Sequence, residues 1–129
     1  MNEKILIIDD EENIVQLLIL NLMAESFNID TAYDGEEGLN KVDSFQPDLI
    51  ILDIRLPKMT GWELCQKIKE DPKYKKMSVI ILTASAQRTD RDKAFSLGAD
   101  EFLSKPFEVK YVIDKIKEIL ENKLKSFHD

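Results

Sequence analysis

Five polar residues of this sequence stand at or just after the end of a short apolar segment, which makes them candidates for a shared chemical site. Three carboxylates in one crevice would repel one another and raise one another's pKa unless a cation neutralised them. Mg²⁺ suits such a site because it binds carboxylate oxygens and leaves room for a phosphate oxygen. A lysine ammonium and a threonine hydroxyl would complement the phosphate, so the set predicts a phosphoryl site. The five residues are Asp9, Asp10, Asp53, Thr83 and Lys105.

Each of these residues also has an ordinary structural interpretation. Asp9 and Asp10 alone could cap a helix, and Asp53 could begin a turn toward Pro57. A buried carboxylate without a partner is costly, however, which argues against a purely structural Asp53. Threonines often end strands and lysines often precede loops, so the coincidence of all five residues at one edge is what favours a site.

The coincidence depends on the elements that position these residues. Short apolar segments alternate with amphipathic stretches of helical length, which is the pattern of βαβ units around a parallel sheet. In such a sheet all strands end at the same edge, and ligands bind there. The pattern predicts an α/β fold of the (βα)5 type, with residues 1–129 forming a single domain. The predicted strands are Lys4 to Ile8, Ile29 to Tyr33, Asp48 to Leu52, Ser78 to Leu82 and Glu101 to Leu103.

Five helices are predicted between and after these strands. The second and third begin at Asp34 and Thr60, each followed three positions later by a glutamate, as in a capping box. The third ends at Asp71 before a proline, and the fourth runs from about Asp90 to Leu97 and ends at Gly98. The apolar face of the first helix is predicted to be Ile14, Leu17, Leu18 and Leu22. That of the fifth is predicted to be Val109, Val112, Ile113, Ile116, Ile119 and Leu120.

Composition narrows the classes of function. The net charge of -7 disfavours direct binding of nucleic acid or of anionic membrane surfaces. The apolar segments are far shorter than a membrane span requires, and the first residues lack the pattern of a secretory signal, so a cytoplasmic location is expected. The single cysteine, Cys65, cannot form an internal disulfide and is expected to be a buried apolar residue.

The ordered set of motifs resembles the receiver domains of two-component response regulators. The resemblance spans nearly the whole chain, and it implies a flavodoxin-like, three-layer doubly wound fold with a five-stranded parallel sheet of order 2-1-3-4-5. It also implies that Asp53 accepts a phosphoryl group from a phosphohistidine on a sensor histidine kinase, or from a small acyl-phosphate donor. The matching fragments are Asp9-Asp10, Asp53 within Leu-Asp-Ile-Arg-Leu-Pro, Met59-Thr60-Gly61, Thr83-Ala84, Gly98-Ala99-Asp100 and Lys105-Pro106-Phe107.

The resemblance further implies a metal site. Asp10, Asp53 and the backbone carbonyl of Arg55 would hold Mg²⁺, for which Mn²⁺ could substitute, and Asp9 would contribute through a bound water. Lys105 would contact the phosphoryl group, and the peptide bond between Lys105 and Pro106 is expected to be cis, an isomer adopted by only about 5–6% of such bonds.

Two further pairs follow from the same resemblance. Thr83 and Phe102 would form the conformational switch, and the less favoured alternative is that Phe102 is an ordinary core residue of an edge strand. Arg55 and Ser85 would tune the lifetime of the phosphorylated state.

The expected readout surface is made by the fourth helix, the fifth strand and the fifth helix. Phe102 and the lysines at 110, 115 and 117 are expected to lie near one another on it. This surface would bind a downstream effector or output domain, or a second copy of the chain on phosphorylation.

The resemblance describes a switch that catalyses its own phosphorylation and dephosphorylation, and not a turnover enzyme. One alternative is a receiver-like interaction module that works without phosphorylation, but such modules usually lack part of the acidic set. A weaker alternative is a phosphatase of the haloacid dehalogenase type, whose second aspartate would stand where this chain has Arg55.

Overall fold

The structure, a computed structural model, describes residues 2–84 and 87–128, with side chains in the last helix as far as Lys125. Five strands alternate with five helices along the described chain. The strands are β1 (Lys4–Ile8), β2 (Asn28–Ala32), β3 (Leu49–Leu52), β4 (Ser78–Thr83) and β5 (Glu101–Ser104). The helices are α1 (Glu12–Ala24), α2 (Gly35–Phe45), α3 (Gly61–Glu70), α4 (Arg88–Ser96) and α5 (Val109–His128).

All five strands are parallel and lie in the order β2-β1-β3-β4-β5, which confirms the predicted sheet. Side chains alternate between the two faces of each strand, so each face of the sheet carries its own apolar cluster. The cluster on one face takes from α1 and α5 the residues Val15, Leu18, Leu22, Val112, Ile113, Ile116 and Leu120. The cluster on the other face takes from α2, α3 and α4 the residues Val42, Leu64, Cys65, Ile68 and Ala94.

The predicted strand ends were right to within one residue. The largest difference is in β2, which begins at Asn28 because the amide of Asn28 donates to the carbonyl of Glu3 at 2.9 Å. At the other end of the sheet β4 extends to Thr83, which pairs with Ser104 of β5. Thr83 is therefore the last residue of the strand and not part of the loop that follows.

The predicted starts of the second and third helices are confirmed by their capping contacts, whereas the fourth helix begins at Arg88, two residues before the predicted Asp90. The carboxylate of Asp34 accepts from the amide of Glu37 at 2.8 Å, and the hydroxyl of Thr60 accepts from the amide of Glu63 at 3.2 Å. The predicted end of the fourth helix is also marked by a glycine. Gly98 follows α4 with a φ of +98°, a conformation that favours glycine.

The predicted apolar face of α1 was partly wrong. Val15 is fully buried, whereas Leu17 is 40% exposed. Leu18 and Leu22 are buried as predicted. The helix has apolar residues on nearly every side, so periodicity alone could not fix which side meets the sheet.

Among the described residues, no helix combines the length and the apolar character that crossing a bilayer requires.

Candidate functional site

Two aspartates are held side by side at the carboxyl edge of the sheet by the strands that precede them. The amide of Asp53 donates to the carbonyl of Ile8 at 3.0 Å, and the amide of Asp9 donates to the carbonyl of Ala32 at 3.1 Å. Asp9 and Asp53 are only 2% and 4% exposed, whereas Asp10 lies at the surface. The three carboxylates each offer an oxygen within 4.8 Å of the others. The predicted acidic cluster therefore exists as a compact group.

Lys105 brings a positive charge into this group. Its ammonium lies 2.8 Å from Oδ2 of Asp9, 2.8 Å from Oε1 of Glu11 and 2.9 Å from Oδ2 of Asp53. The lysine side chain is only 6% exposed. The peptide bond between Lys105 and Pro106 is cis, which is the isomer that the sequence led us to expect. All three donors of the ammonium are thus taken up by carboxylates.

Burial and hydrogen bonding shift the pKa values of Asp9 and Lys105. Burial raises the pKa of Asp9, and the hydrogen bond from Lys105 only partly opposes that rise. Repulsion from Asp53 adds to the rise in the pKa of Asp9. Burial would lower the pKa of Lys105, but the hydrogen bonds to Asp53, Asp9 and Glu11 outweigh it and raise that pKa above its ordinary value.

The backbone around Asp53 is tightly packed. Its Oδ1 accepts from the amide of Arg55 at 3.1 Å, while the side chain of Arg55 points to solvent. The amide of Gly61 donates to the carbonyl of Ile54 at 2.8 Å. A Cβ on Gly61 would lie 2.2 Å from the carbonyl oxygen of Asp53, so only glycine fits there. The start of α3 is therefore pressed against the backbone of Asp53. Ser85 lies outside the described residues.

Thr83 and Phe102 lie on neighbouring strands beneath this site. Thr83 is fully buried, and its carbonyl accepts from the amide of Lys105 at 2.9 Å. Phe102 pairs with Ile81 of β4, and its ring is 5% exposed within the cluster on the side of α2, α3 and α4. The packing of Phe102 is compatible both with a switch residue and with an ordinary core residue.

The predicted readout surface needs one correction. Glu101 of β5 lies 4.0 Å from Arg91 of α4 and 3.7 Å from Lys115 of α5, so charged side chains join the three elements. Lys117, in contrast, pairs with Glu25 at the end of α1 and faces away from this surface. Lysines two positions apart on a helix point in different directions, so 115 and 117 could not share one face. The other exposed side chains include Phe95 of α4 and Tyr111 of α5.

The donor set of the acidic cluster fits a hard divalent cation. It consists of carboxylate oxygens alone, which Mg²⁺ prefers, and softer metals would need histidine or cysteine ligands. Cys65 is buried in α3 within an apolar cluster that does not include these carboxylates.

Sequence reasoning missed Glu11. An acidic residue after two aspartates at the start of a helix looks like part of a cap, and nothing in its spacing indicates a contact with Lys105. The only available signal was that glutamate is an unusual N-cap residue. Its contact with Lys105 makes it a fourth acidic member of the site.

A parallel sheet of this strand order, with its ligand edge at the carboxyl ends, defines the flavodoxin-like class. A model of the response regulator receiver domain matches residues 5–117, and the chain belongs to that family. Receiver domains are signalling domains of two-component systems and not classical enzymes.

Known proteins of this family resemble the chain over most of its length. The alkaline phosphatase synthesis transcriptional regulatory protein PhoP of Bacillus subtilis is 42% identical over 120 residues, covering 93% of this chain and 49% of that protein. The response regulator ArlR of Staphylococcus aureus is 40% identical over 117 residues, covering 91% of this chain and 52% of that protein. The chain therefore spans about half the length of these relatives. A CheY-like receiver domain protein from Methanospirillum hungatei superposes with a TM-score of 0.91 at 30% identity, over 98% of this chain and 99% of that one.

Proposed function

We propose that this chain is a phosphorylation-dependent switch whose phosphoacceptor is Asp53. The observation that carries the proposal is the placement of the Lys105 ammonium 2.9 Å from Oδ2 of Asp53, beside a cluster of carboxylates in which Asp9 and Asp53 are buried. A carboxylate is already a nucleophile near neutral pH, and a fixed ammonium stabilises the negative charge that crowds around a transferring phosphoryl group. The site thus contains an acceptor and a charge stabiliser.

The proposed reaction is an in-line displacement. An oxygen of Asp53 forms a bond to the phosphorus of the donor, and the bond from phosphorus to the donor nitrogen or oxygen breaks. The leaving imidazole or carboxylate departs with that electron pair, and Asp53 becomes an acyl phosphate. Lys105 donates to an oxygen of the phosphoryl group during the transfer. Water then hydrolyses the acyl phosphate, so the chain catalyses both its own phosphorylation and its own dephosphorylation.

The acidic cluster would hold Mg²⁺ through Asp10, Asp53 and the backbone carbonyl of Arg55, with Asp9 contributing through a water, and Mn²⁺ would substitute. When bound, the cation offsets the negative charge of the incoming phosphate. Arg55 and Ser85 are proposed to tune the rate of hydrolysis. A hydrolysis rate that is the same in Arg55→Ala and in the wild type would remove Arg55 from that role.

Phosphorylation carries a signal only if it favours one of two conformations. Thr83 ends β4 directly beside the lysine segment, and Phe102 lies on the adjacent strand. We propose that the hydroxyl of Thr83 follows the phosphoryl group and that Phe102 repacks in response. The exposed surface of α4, β5 and α5 would then present a changed contact to its partner.

The proposed partners are a sensor histidine kinase as donor and an effector or output domain as target, with a second copy of the chain as a further target on phosphorylation. Relatives about twice as long, one of which is a transcriptional regulatory protein, support an output domain. Within such an assembly residues 1–129 would act as one domain, in the cytoplasm, without contacting nucleic acid or membrane directly.

The test is to incubate the protein with acetyl phosphate, with and without Mg²⁺, and to follow its intact mass. A gain of one phosphoryl group that requires Mg²⁺ and disappears in Asp53→Asn supports the proposal. Asp92→Asn, which alters an exposed aspartate of α4, is the control and should be phosphorylated like the wild type. No gain in any condition would favour the interaction module that works without phosphorylation.

A further inference from the structure

Glu11 occupies the N-cap position of α1 but does not cap the helix. Its φ of -87° and ψ of 102° are those of an N-cap residue, yet its side chain makes no capping hydrogen bond. This position favours serine, threonine, aspartate or asparagine, whose short side chains reach the free amides of the first turn. The carboxylate of Glu11 instead lies 2.8 Å from the ammonium of Lys105, 94 residues away in sequence. The start of α1 therefore lacks a side-chain cap, because the carboxylate of Glu11 contacts Lys105 at the functional site instead.

The position of Glu11 is fixed by a closed ring of three hydrogen bonds. Its backbone amide donates to Oδ1 of Asp9 at 2.9 Å. The other oxygen of Asp9 accepts from Lys105 at 2.8 Å, and Lys105 in turn donates to Glu11. The side chain of Glu11 is 55% exposed, whereas that of Lys105 is 6% exposed. Glu11 thus forms the solvent side of the pocket that holds the ammonium.

Glu11 differs from the other two partners of Lys105 in one respect. Asp9 and Asp53 belong to the cluster that fits a divalent cation, and Glu11 does not. A cation attracted to Asp9 and Asp53 repels the lysine ammonium and weakens its attraction to both carboxylates. Of the three carboxylates that contact Lys105, Glu11 is then the one that does not also bind the cation.

We propose that Glu11 is a positioning residue that keeps Lys105 beside Asp53 when a cation occupies the acidic cluster. The proposal rests on the proposed function of Asp53. An ammonium held in place before the reaction needs little reorganisation when a phosphoryl oxygen replaces Oδ2 of Asp53 as its partner. Without Glu11, Lys105 turns toward solvent in the metal-bound protein. Its ammonium is then less well ordered when it has to donate a hydrogen bond to the phosphoryl group.

The test compares Glu11→Gln with Glu12→Gln. Both changes remove one negative charge from the start of α1 and keep the side-chain size, but Glu12 is exposed and is not among the partners of Lys105. The first measurement is the ¹H–¹⁵N spectrum of the lysine ammonium groups, with and without Mg²⁺. The signal of Lys105 is assigned as the one that disappears in Lys105→Arg. In the wild type and in Glu12→Gln, the Lys105 signal is expected to persist in Mg²⁺. In Glu11→Gln, the ammonium hydrogens of Lys105 are expected to exchange with water about tenfold faster, because the charge-assisted hydrogen bond to Glu11 is lost.

The second measurement is the rate of phosphorylation as a function of acetyl phosphate concentration at saturating Mg²⁺. Glu11→Gln is expected to lower the limiting rate about fivefold and to leave the half-saturating concentration nearly unchanged, since Glu11 acts on Lys105 during transfer. Glu12→Gln should stay within about twofold of the wild type in both values.

Equal exchange of the Lys105 signal in the two variants, or equal limiting rates, would overturn the role of Glu11. A wild-type protein that gains no phosphoryl group would instead remove the proposed function of Asp53. In that case the ammonium spectrum would still decide whether Glu11 holds Lys105.

Discussion

The ammonium of Lys105 and the carboxylate of Asp53 are 2.9 Å apart, although 52 residues separate them in sequence. Both side chains are nearly inaccessible to solvent. Removing one member of such a pair leaves the other as an uncompensated buried charge. The stability of the fold and the chemistry of the site are therefore coupled through Lys105.

Lys105→Met is expected to destabilise the metal-free protein by about 3 kcal/mol, because Asp9 and Asp53 remain buried without a cation. The measurement is urea denaturation in the presence of a chelator. Mg²⁺ should restore more stability to this variant than to the wild type, since the ammonium no longer competes for the carboxylates. Lys110→Met, at an exposed position of α5, should change the free energy of unfolding by less than about 0.5 kcal/mol. Equal losses in both variants would contradict the coupling.

Mg²⁺ is expected to raise the thermal midpoint of the wild type, because a ligand of the folded state stabilises by about 2.7 kcal/mol at one hundred times its Kd. Asp10→Asn removes an exposed carboxylate of the cluster and should abolish most of this increase without unfolding the protein. Mn²⁺ should act in the same direction as Mg²⁺. Scanning calorimetry measures both effects, and an unchanged Mg²⁺ response in Asp10→Asn would place the cation elsewhere.

Gly61→Ala is expected to destabilise the protein by about 2 kcal/mol and to slow phosphorylation, since the new Cβ would overlap the carbonyl oxygen of Asp53 at 2.2 Å. Gly38→Ala is the matched control, because the three atoms nearest to its Cβ belong to the side chain of Ile8, the closest at 2.8 Å, and none of them is a backbone atom. Chemical denaturation and intact mass are the measurements. Wild-type phosphorylation kinetics in Gly61→Ala would show that the backbone of Asp53 can shift without cost.

Thr83→Ala should still accept a phosphoryl group on Asp53, because the hydroxyl is not the nucleophile. The ring resonances of Phe102 are expected to shift on phosphorylation of the wild type and to stay unchanged in this variant. Thr31→Ala in β2, three positions away from β4 in the order of strands, provides the control. A shift of Phe102 that survives in Thr83→Ala would remove Thr83 from the switch, and the absence of a shift in the wild type would leave Phe102 as an ordinary core residue.

The thiol of Cys65 is expected to make the free energy of unfolding depend on pH in the alkaline range, independently of the functional site. Burial raises the pKa of its thiol from 9.0 to about 11. Between these values the unfolded chain loses the proton while the folded protein keeps it, so the free energy of unfolding falls as pH rises. The advantage of the wild type over Cys65→Ala at pH 8 should shrink by about 2 kcal/mol at pH 10.5, measured by urea denaturation. A constant difference would contradict the burial of the thiol.

Much of the fold could be predicted because its signals are local. The capping residues Asp34 and Thr60 marked helix starts that the structure reproduces. The face of α1 could not be predicted, since a helix with apolar residues on nearly all sides has no preferred orientation in sequence. The burial of Val15 and the exposure of Leu17 are decided by the sheet beneath them.

The candidate site divides in the same way. Asp9 and Asp53 were predictable because each follows a buried strand whose position in the sheet is fixed by the topology. Glu11 was not, because its contact depends on where a side chain from the far end of the sheet reaches. Lys117 was misplaced because it was grouped with nearby lysines by composition and not by helical direction.

The contact between Lys105 and Asp9 joins residues 96 positions apart. A nascent chain that ends before β5 already contains the three aspartates of the cluster but lacks Lys105. Long-range contacts of this kind form late because they close large loops. We therefore expect that the ability to receive a signal arises only when synthesis and folding of the sheet are complete, so that unfinished copies neither consume phosphate nor compete with finished ones for the donor.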